Sequence, residues 1–486
     1  MRLSELAAGY IVTPAGVDPE ISGLSEDSRR IRPGMVFVAV PGTSLDGHAY
    51  VTDAAARGAA AIVAERTGTV PPGMPSVRVP SARVALAELA ARFYGNPAAQ
   101  LRTIGFAGTF GKTSTSEVLR LLLDAGGART GVLGSLGARY GDYFDSGSGL
   151  TTPAPVELHK SLRQLRVAGA DTAIMEVTSH ALRLERIRGI RFDGGLLAAI
   201  LPGEHTDFHR SYDDYVDAKR RFLDHLTTHA VLAYDSDNRA ARRIAMGAQV
   251  ATIVGYSTER RDADLVLSDV ELDERGTTFT ITVAASRAAS GMRLHSALLG
   301  RGHLRNVGLS LAYALTAGLP VSTAATVLRS LVPLPRRMER YDIAGRTVLD
   351  DSAAHPDSFR GTLEVAALLP HRASTLVYAV RGSRGADINR RNAIALADLS
   401  AVHGVETLIV TAATDCTGAA DQVSATEVDA ARQALVERGR RFVWHDTLQG
   451  AIGDALDRSK PGDLLILAGA QGMNEGRRIL TRFSPR

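Results

Sequence analysis

The segment Thr103–Leu123, TIGFAGTFGKTSTSEVLRLLL, limits what this chain can fold into more than any other. An apolar run enters a loop carrying Gly105, Gly108 and Gly111, and Lys112 and Thr113 then open an amphipathic helix. Glycines let backbone N–H groups approach phosphate oxygens, and a helix N-terminus adds positive potential. The lysine bridges terminal phosphates, and the threonine hydroxyl suits Mg²⁺. The segment predicts strand, phosphate loop and helix, with Gly108, Thr109, Gly111, Lys112, Thr113 and Ser114 around the phosphates of ATP. The spacing is one residue off the commonest form of this motif. A glycine turn that merely precedes a lysine would not need both flanking elements.

Around this loop the pattern is that of an α/β protein. Strand-like runs (TGVLG, TAIMEV, GGLLAAI, HAVLAY) alternate with helical ones, the mark of a parallel sheet with crossover helices. A small α/β region precedes the break at YGNPAAQ, and the alternation restarts after VPLPRRMER. Between them, DLVLSDVELD and GTTFTITVAA alternate as antiparallel strands do. Three domains follow, 1–98, 99–335 and 336–486, the second with an antiparallel extension and the third Rossmann-like; a chain of 486 residues is too long for one core.

Composition closes off other classes. No apolar run approaches the ~18 residues of a membrane span, and MRLSELAAGYIVTPAG lacks a secretion signal, so a cytoplasmic home is expected. Net charge is +4, and the arginine clusters lack interleaved aromatics, which argues against a polynucleotide groove and for a small anionic ligand. The single cysteine, Cys416, forms no internal disulfide and has no neighbours at metal-ligand spacing. A monomer is expected.

Further candidates fall at strand ends beyond the phosphate loop, where open α/β sheets bind ligands. Glu176, in AIMEVTSHAL, and His205, in LPGEHTDFH, suit metal ligation or a loop hydrogen bond. Lys219, in YVDAKRRF, reads from its helix as a solvated charge.

Taken together these motifs resemble the Mur ligase family, and within it the MurE branch, which adds the third amino acid to UDP-N-acetylmuramoyl-L-alanyl-D-glutamate. The resemblance spans nearly the whole chain. EDSRRIRPGMVFVAVPGTSLDGH looks like the uridine-binding domain and implies substrate roles for Ser28, Arg29, Thr43 and His48. TTPAP and MEVTSHALRLERIRG match segments that hold the muramoyl-dipeptide and imply roles for Thr151, Thr152, Ser179 and Arg186. AKRRF puts Lys219 where the family carries a carbamylated lysine that helps fix a second Mg²⁺. Lys112, Lys219 and His205 then stand as catalytic residues, and Thr113, Glu176, His205 and Lys219 as the metal set. LLGRGHLRNVGLSLAYAL, RRMER and DDSAAHPDS resemble nucleotide-contacting motifs and imply Asn306, Arg337 and Asp351. The implied chemistry is ATP- and Mg²⁺-dependent: a substrate carboxylate becomes an acyl phosphate, and an amino acid displaces the phosphate.

The departures from the family concentrate where the amino acid should bind. Where diaminopimelate enzymes carry D-N-P-R, this chain reads VTAATDCTGAADQ, and the late G-K-G-H-E motif becomes AGAQGMNEG, with Ala470 for its lysine. Phe110 replaces the asparagine of G-T-N-G-K-T, and a phenyl ring offers no amide contact to phosphate. Ile200, Gly203-Glu204, Ser352 and Ala354 also depart, and the loop VRGSRGADINRRN offers Arg381, Arg384, Arg390 and Arg391 as substitute anion contacts or as a solvated basic face. Two other readings therefore stand beside a peptidoglycan-precursor ligase: a paralogue forming an amide in a specialised pathway, and a nucleotide-binding homologue without turnover.

Overall fold

The computed structural model describes the chain except residues 15, 43, 44, 67, 69, 204–207, 285–290 and 484–486. Thr43 and His205 therefore lie outside the described residues. Two compact units emerge, one of residues 1–201, 211–256 and 309–319, the other of 202–210, 257–308 and 320–486.

The first unit holds two sheets. Five short strands, β1 (Ile11–Thr13), β2 (Gly23–Ser25), β3 (Met35–Val38), β4 (Ala61–Ala64) and β5 (Ser76–Arg78), are ordered β1-β5-β4-β3-β2. Only β1 runs antiparallel to its neighbour. The second sheet is built from β6 (Arg102–Ala107), β7 (Thr130–Gly134), β8 (Gly137–Tyr140), β9 (Tyr143–Asp145), β10 (Thr172–Val177), β11 (Phe192–Leu197), β12 (Leu226–Asp235) and β13 (Thr252–Ser257). Its order is β13-β12-β11-β6-β10-β7-β8-β9. Strands β6, β7, β10, β11, β12 and β13 are parallel, and β8 and β9 fold back antiparallel on β7. Every residue of β7 and β10 is buried, as expected of strands covered on both faces by crossover helices. Leu133, Met175, Val177, Leu197 and Phe222 share the core beside the phosphate loop.

The second unit contains an antiparallel meander, β14 (Leu265–Asp273), β15 (Gly276–Val283) and β16 (Met292–Ser296), and a six-stranded sheet. The latter is made of β17 (Glu339–Ile343), β18 (Arg346–Asp351), β19 (Ser374–Ala379), β20 (Thr407–Thr411), β21 (Val443–His445) and β22 (Leu464–Gly469), in the order β17-β18-β22-β19-β20-β21. All but β17 are parallel. The sequence pattern finds most of the parallel strands and β14–β15; it does not predict β13, nor the short strands β1, β2, β5, β8, β9, β16, β17 and β21, which are three to five residues long. The helical pattern around Lys219 is shorter than the sequence suggests: the α-helix Tyr212–Arg220 gives way to a 3₁₀ turn, Arg221–His225. No helix among the described residues is long and apolar enough to cross a membrane.

Candidate active site

The phosphate loop sits where the sequence places it, between the central strand β6 and the helix Lys112–Ala125. β6 pairs with β10 on one side and β11 on the other, so its C-terminal end opens into the middle of the sheet. Gly111 caps the helix at φ 79, a left-handed conformation that costs other residues free energy. Behind the loop, Thr109 is tied three ways: its N–H donates to Ala199 O (2.9 Å), its hydroxyl accepts from Leu201 N–H (2.9 Å), and the same hydroxyl shares a hydrogen bond with Tyr215 Oη (3.0 Å). Tyr215 is a contributor that no motif in the sequence signals.

Two lysines meet at this loop. Lys112 Nζ donates to Gly108 O (3.1 Å) and Thr109 O (2.9 Å), and Lys219 Nζ donates to the same Gly108 O (3.0 Å) and to Val177 O (3.4 Å). Far from being solvated, Lys219 is 1% exposed. Burial, and then the like charge of Lys112, push its amine well below the ordinary lysine value. Phe110 is 36% exposed at the loop.

On the adjacent strand β10, Glu176 is buried, and its carboxylate accepts from the N–H (3.1 Å) and hydroxyl (3.2 Å) of Ser135. A Cβ at Gly134 would stand 2.1 Å from Glu176 Oε1, so only glycine lets the carboxylate lie there. Ser135 Oγ also bonds Thr151 Oγ1 (2.9 Å). Thr152 donates its hydroxyl to Glu176 O (2.8 Å) and accepts from Thr178 N–H (3.0 Å), while Thr178 caps the short helix Ser179–Arg183. Arg186 Nη1 closes the set on Thr152 O (2.9 Å). Thr151, Thr152, Ser179 and Arg186 thus surround the strand end that carries Glu176.

Glu176 spends two acceptor positions on Ser135 and retains others, and Thr113 offers a hydroxyl at the helix start. Among the described residues no group of three or more His, Cys, Asp or Glu side chains gathers to hold a metal. Two oxygen donors of this kind fit a cation that keeps waters and substrate phosphates as ligands, as Mg²⁺ does.

In the β1–β5 domain, His48 is buried and both ring nitrogens are engaged: Nδ1 bonds Asp46 Oδ1 (2.7 Å), and Nε2 accepts from Arg66 N–H (3.2 Å). The proton therefore sits on Nδ1, and the ring braces its turn. The His48 backbone N–H and ring hold the Asp46 carboxyl down at about 2. Ser28 bonds Asp53, and Arg29, largely exposed, forms a bidentate pair with Asp27 (2.9 Å for both bonds).

The second unit carries the other motif residues. Asp351 ends β18, accepting from Met338 N–H (3.1 Å) and Thr362 Oγ1 (2.7 Å). The buried His303 donates Nδ1–H to Leu299 O (3.0 Å) and feels the charges of Asp351 and Arg337. Asn306 lies one turn along the helix Gly300–Thr316 from His303, on the same face. Arg337 reaches back to Arg336 O (2.9 Å), and the partly buried Arg336 faces the buried Asp350 (3.4 Å).

The loop after β19 is not an open anion cradle. Glu427, 2% exposed, accepts from the backbone N–H groups of Ser383 (3.3 Å), Arg384 (2.8 Å) and Gly385 (2.7 Å). It also closes a capping box with Ser424. Arg390 pairs with Glu437 (2.5 Å), Arg391 bonds Gly203 O (3.0 Å) and Arg381 reaches Ala354 O (3.5 Å). Asp415, in the loop after β20, caps the helix Leu448–Arg458 through Leu448 N–H (2.7 Å) and Gln449 N–H (3.1 Å). It helps line a cavity of about 740 Å³ with His445, Asp454, Asp457 and Arg458.

Comparison with known proteins agrees with this architecture. Residues 20–94 match the Mur ligase family catalytic domain, 106–314 the Mur ligase middle domain and 336–471 the Mur ligase glutamate ligase domain. A UDP-N-acetylmuramoyl-L-alanyl-D-glutamate–2,6-diaminopimelate ligase of Geobacter metallireducens is 32% identical over 96% of this chain and 93% of its own. A UDP-N-acetylmuramyl-tripeptide synthetase of Deinococcus radiodurans is 31% identical over 96% and 94%. The fold matches that of MurF ligase from Thermotoga maritima in complex with ADP, with a TM-score of 0.66 and 21% identity over 94% and 97% of the two chains. With its phosphate loop, the Glu176 strand end and all three domains accounted for, the chain belongs to the Mur ligase family of ATP-dependent, ADP-forming ligases.

Proposed function

We propose that this chain joins an amino acid to UDP-N-acetylmuramoyl-L-alanyl-D-glutamate or a close analogue, in peptidoglycan precursor synthesis, by way of an acyl phosphate. The observation that carries the reading is the pairing of the Lys112 loop on β6 with the buried Glu176 on the neighbouring strand β10. Lys112, freed from the loop carbonyls, offsets charge on the γ-phosphate as the substrate carboxylate attacks it. Thr113 and Glu176 are the residues that would hold Mg²⁺, which supplies charge neutralisation across the phosphates. His205 and Lys219 join that set on the family resemblance, and burial favours the neutral Lys219 amine, the form that takes up CO₂. Asn306, Arg337 and Asp351 are assigned to the nucleotide. Ser28, Arg29, Thr43 and His48, with Thr151, Thr152, Ser179 and Arg186, are assigned to the UDP-linked substrate. Monomeric state and a cytoplasmic home belong to the same proposal.

The amine is the part on which this chain departs. Residues 411–422 contain no basic side chain, and Asp415 is committed to a helix cap, so this loop gives an amino-acid carboxylate no guanidinium to pair with. That favours an amine other than diaminopimelate, or a paralogue's substrate. Phosphate release from ATP with UDP-MurNAc-L-Ala-D-Glu and a panel of amino acids is the test. Release that depends on one amine supports a ligase and names its substrate; ATP binding with no release for any amine leaves only the non-catalytic reading.

Lys219 yields a separate expectation. An amine that is 1% exposed, bonded to two main-chain carbonyls and 5.7 Å from the Tyr215 ring centroid, beside another lysine, costs the fold more than it contributes. Lys219→Met is therefore expected to melt at the same temperature or a few degrees higher, while phosphate release falls at least ~10²-fold. Retained activity would mark Lys219 as structural.

A further inference from the structure

The helix Tyr212–Arg220 and the turn after it sit on a fixed base beneath the phosphate loop. Phe222, buried in that turn, packs so closely on the strand leading into the loop that a Cβ at Gly105 would stand 2.6 Å from its ring, and one at Gly195 on β11 would stand 3.1 Å away. Asp214 pairs with Arg183, at the end of the short helix after β10. From this base two side chains one turn apart, on one face of the helix, reach consecutive residues of the loop. Tyr215 Oη bonds Thr109 Oγ1 (3.0 Å), and Lys219 Nζ donates to Gly108 O (3.0 Å). The buried Tyr215 ring also lies 5.7 Å from Lys219 Nζ, within cation–π range.

Lys112 Nζ donates to Gly108 O and Thr109 O in the free protein, and it has to leave both carbonyls to meet a γ-phosphate. Gly108 O then keeps Lys219. Thr109 keeps its N–H bond to Ala199 O, the bond its hydroxyl accepts from Leu201 N–H, and Tyr215. We propose that Tyr215 is a positioning residue for nucleotide binding: its hydroxyl holds Thr109 in place while Lys112 moves to the phosphates, so that the loop keeps its shape. A loop already held in its bound shape loses less conformational freedom when the ligand arrives, and the difference appears as affinity. The inference rests on the phosphate-loop reading and not on the identity of the amine.

The experiment is calorimetric titration of wild type, Tyr215→Phe, Thr109→Val and the double variant with a non-hydrolysable ATP analogue and Mg²⁺, alongside KM for ATP and for the UDP-linked substrate. Tyr215→Phe, which keeps the ring in the core, is expected to bind the analogue ~3–10-fold more weakly, the effect of one lost hydrogen bond. Thr109→Val, which also loses the bond from Leu201 N–H, falls at least as far. The double variant falls no further than Thr109→Val, because both changes remove the same bond. KM for ATP rises in step while KM for the UDP-linked substrate stays within about twofold, a split that a general loosening of the core would not give. Wild-type affinity in Tyr215→Phe overturns the inference, as do losses that multiply in the double variant, or an equal rise in both KM values with a lowered melting temperature. Tyr215→Phe decides alone where Thr109→Val does not fold. Wild-type protein that does not bind the analogue overturns the phosphate-loop reading instead.

Discussion

Replacing Lys112 with alanine is expected to lower ATP-dependent phosphate release by ~10³-fold or more while the protein melts within a few degrees of wild type. The activity estimate follows from what the residue does: removing one preorganised donor aimed at developing charge costs on the order of 3–4 kcal/mol, and Lys112 brings a full charge. The stability estimate follows from its partners. Lys112 Nζ donates to Gly108 O and Thr109 O, and Gly108 O keeps its bond from Lys219 when Lys112 is gone. The buried Lys219 also loses the like charge that depresses its amine, which offsets part of the loss. Full activity in Lys112→Ala would refute the phosphate-loop assignment; inactivity with a collapsed melting curve would show that the lysine holds the loop.

What could be read in the sequence divides along a physical line. The phosphate loop was legible because its chemistry needs glycines, a lysine and a hydroxyl at fixed spacing between a strand and a helix, and local sequence encodes all of that. The parallel strands were legible because burial on both faces makes them continuous apolar runs, as in β10 and β22. The interior life of the polar residues was not. Lys219 sits on a helix whose spacing suggests solvent, yet it turns inward to a carbonyl 111 residues away in sequence. His48 enters only through the family resemblance, and nothing in its local sequence signals that its ring nitrogens bond Asp46 and the Arg66 backbone. The arginines after β19 suggest an anion site, while Glu427, some 42 residues downstream, already accepts the loop's N–H groups. Such contacts run to main-chain atoms, which every residue has, so composition leaves no trace of them.

Arg336 belongs to the same illegible class. The RRMER motif draws attention to Arg337, but Arg336 is the side chain that turns inward. It sits at φ 57, bonds Asp350 Oδ1 (3.4 Å) and Ala470 O (2.9 Å), and reaches Gly469 O and Asn474 Oδ1, tying the ends of β18 and β22 together. Asp350 is fully buried, and that burial lifts its carboxyl to about 6 despite the arginine. Because the folded pKa lies above the unfolded value near 3.8, the native state holds a proton between about pH 4 and 6 that the unfolded chain has released. This group therefore favours folding most below pH 4, and its contribution falls by something on the order of 3 kcal/mol as pH rises to 6 and beyond. Arg336→Ala is expected to destabilise this unit by ~3–5 kcal/mol at pH 8, because it strands a buried charge and several carbonyls. At pH 5 the cost should be visibly smaller, since a protonated Asp350 needs no counter-charge. Asp350→Asn placed in the Arg336→Ala background should remove most of that pH dependence. Urea unfolding followed through Trp444, the chain's single tryptophan and a residue of β21, reads the right sheet directly. A penalty for Arg336→Ala that is the same at pH 5 and pH 8 would mean that Arg336 acts through the carbonyls of Gly469 and Ala470, and not through the charge on Asp350.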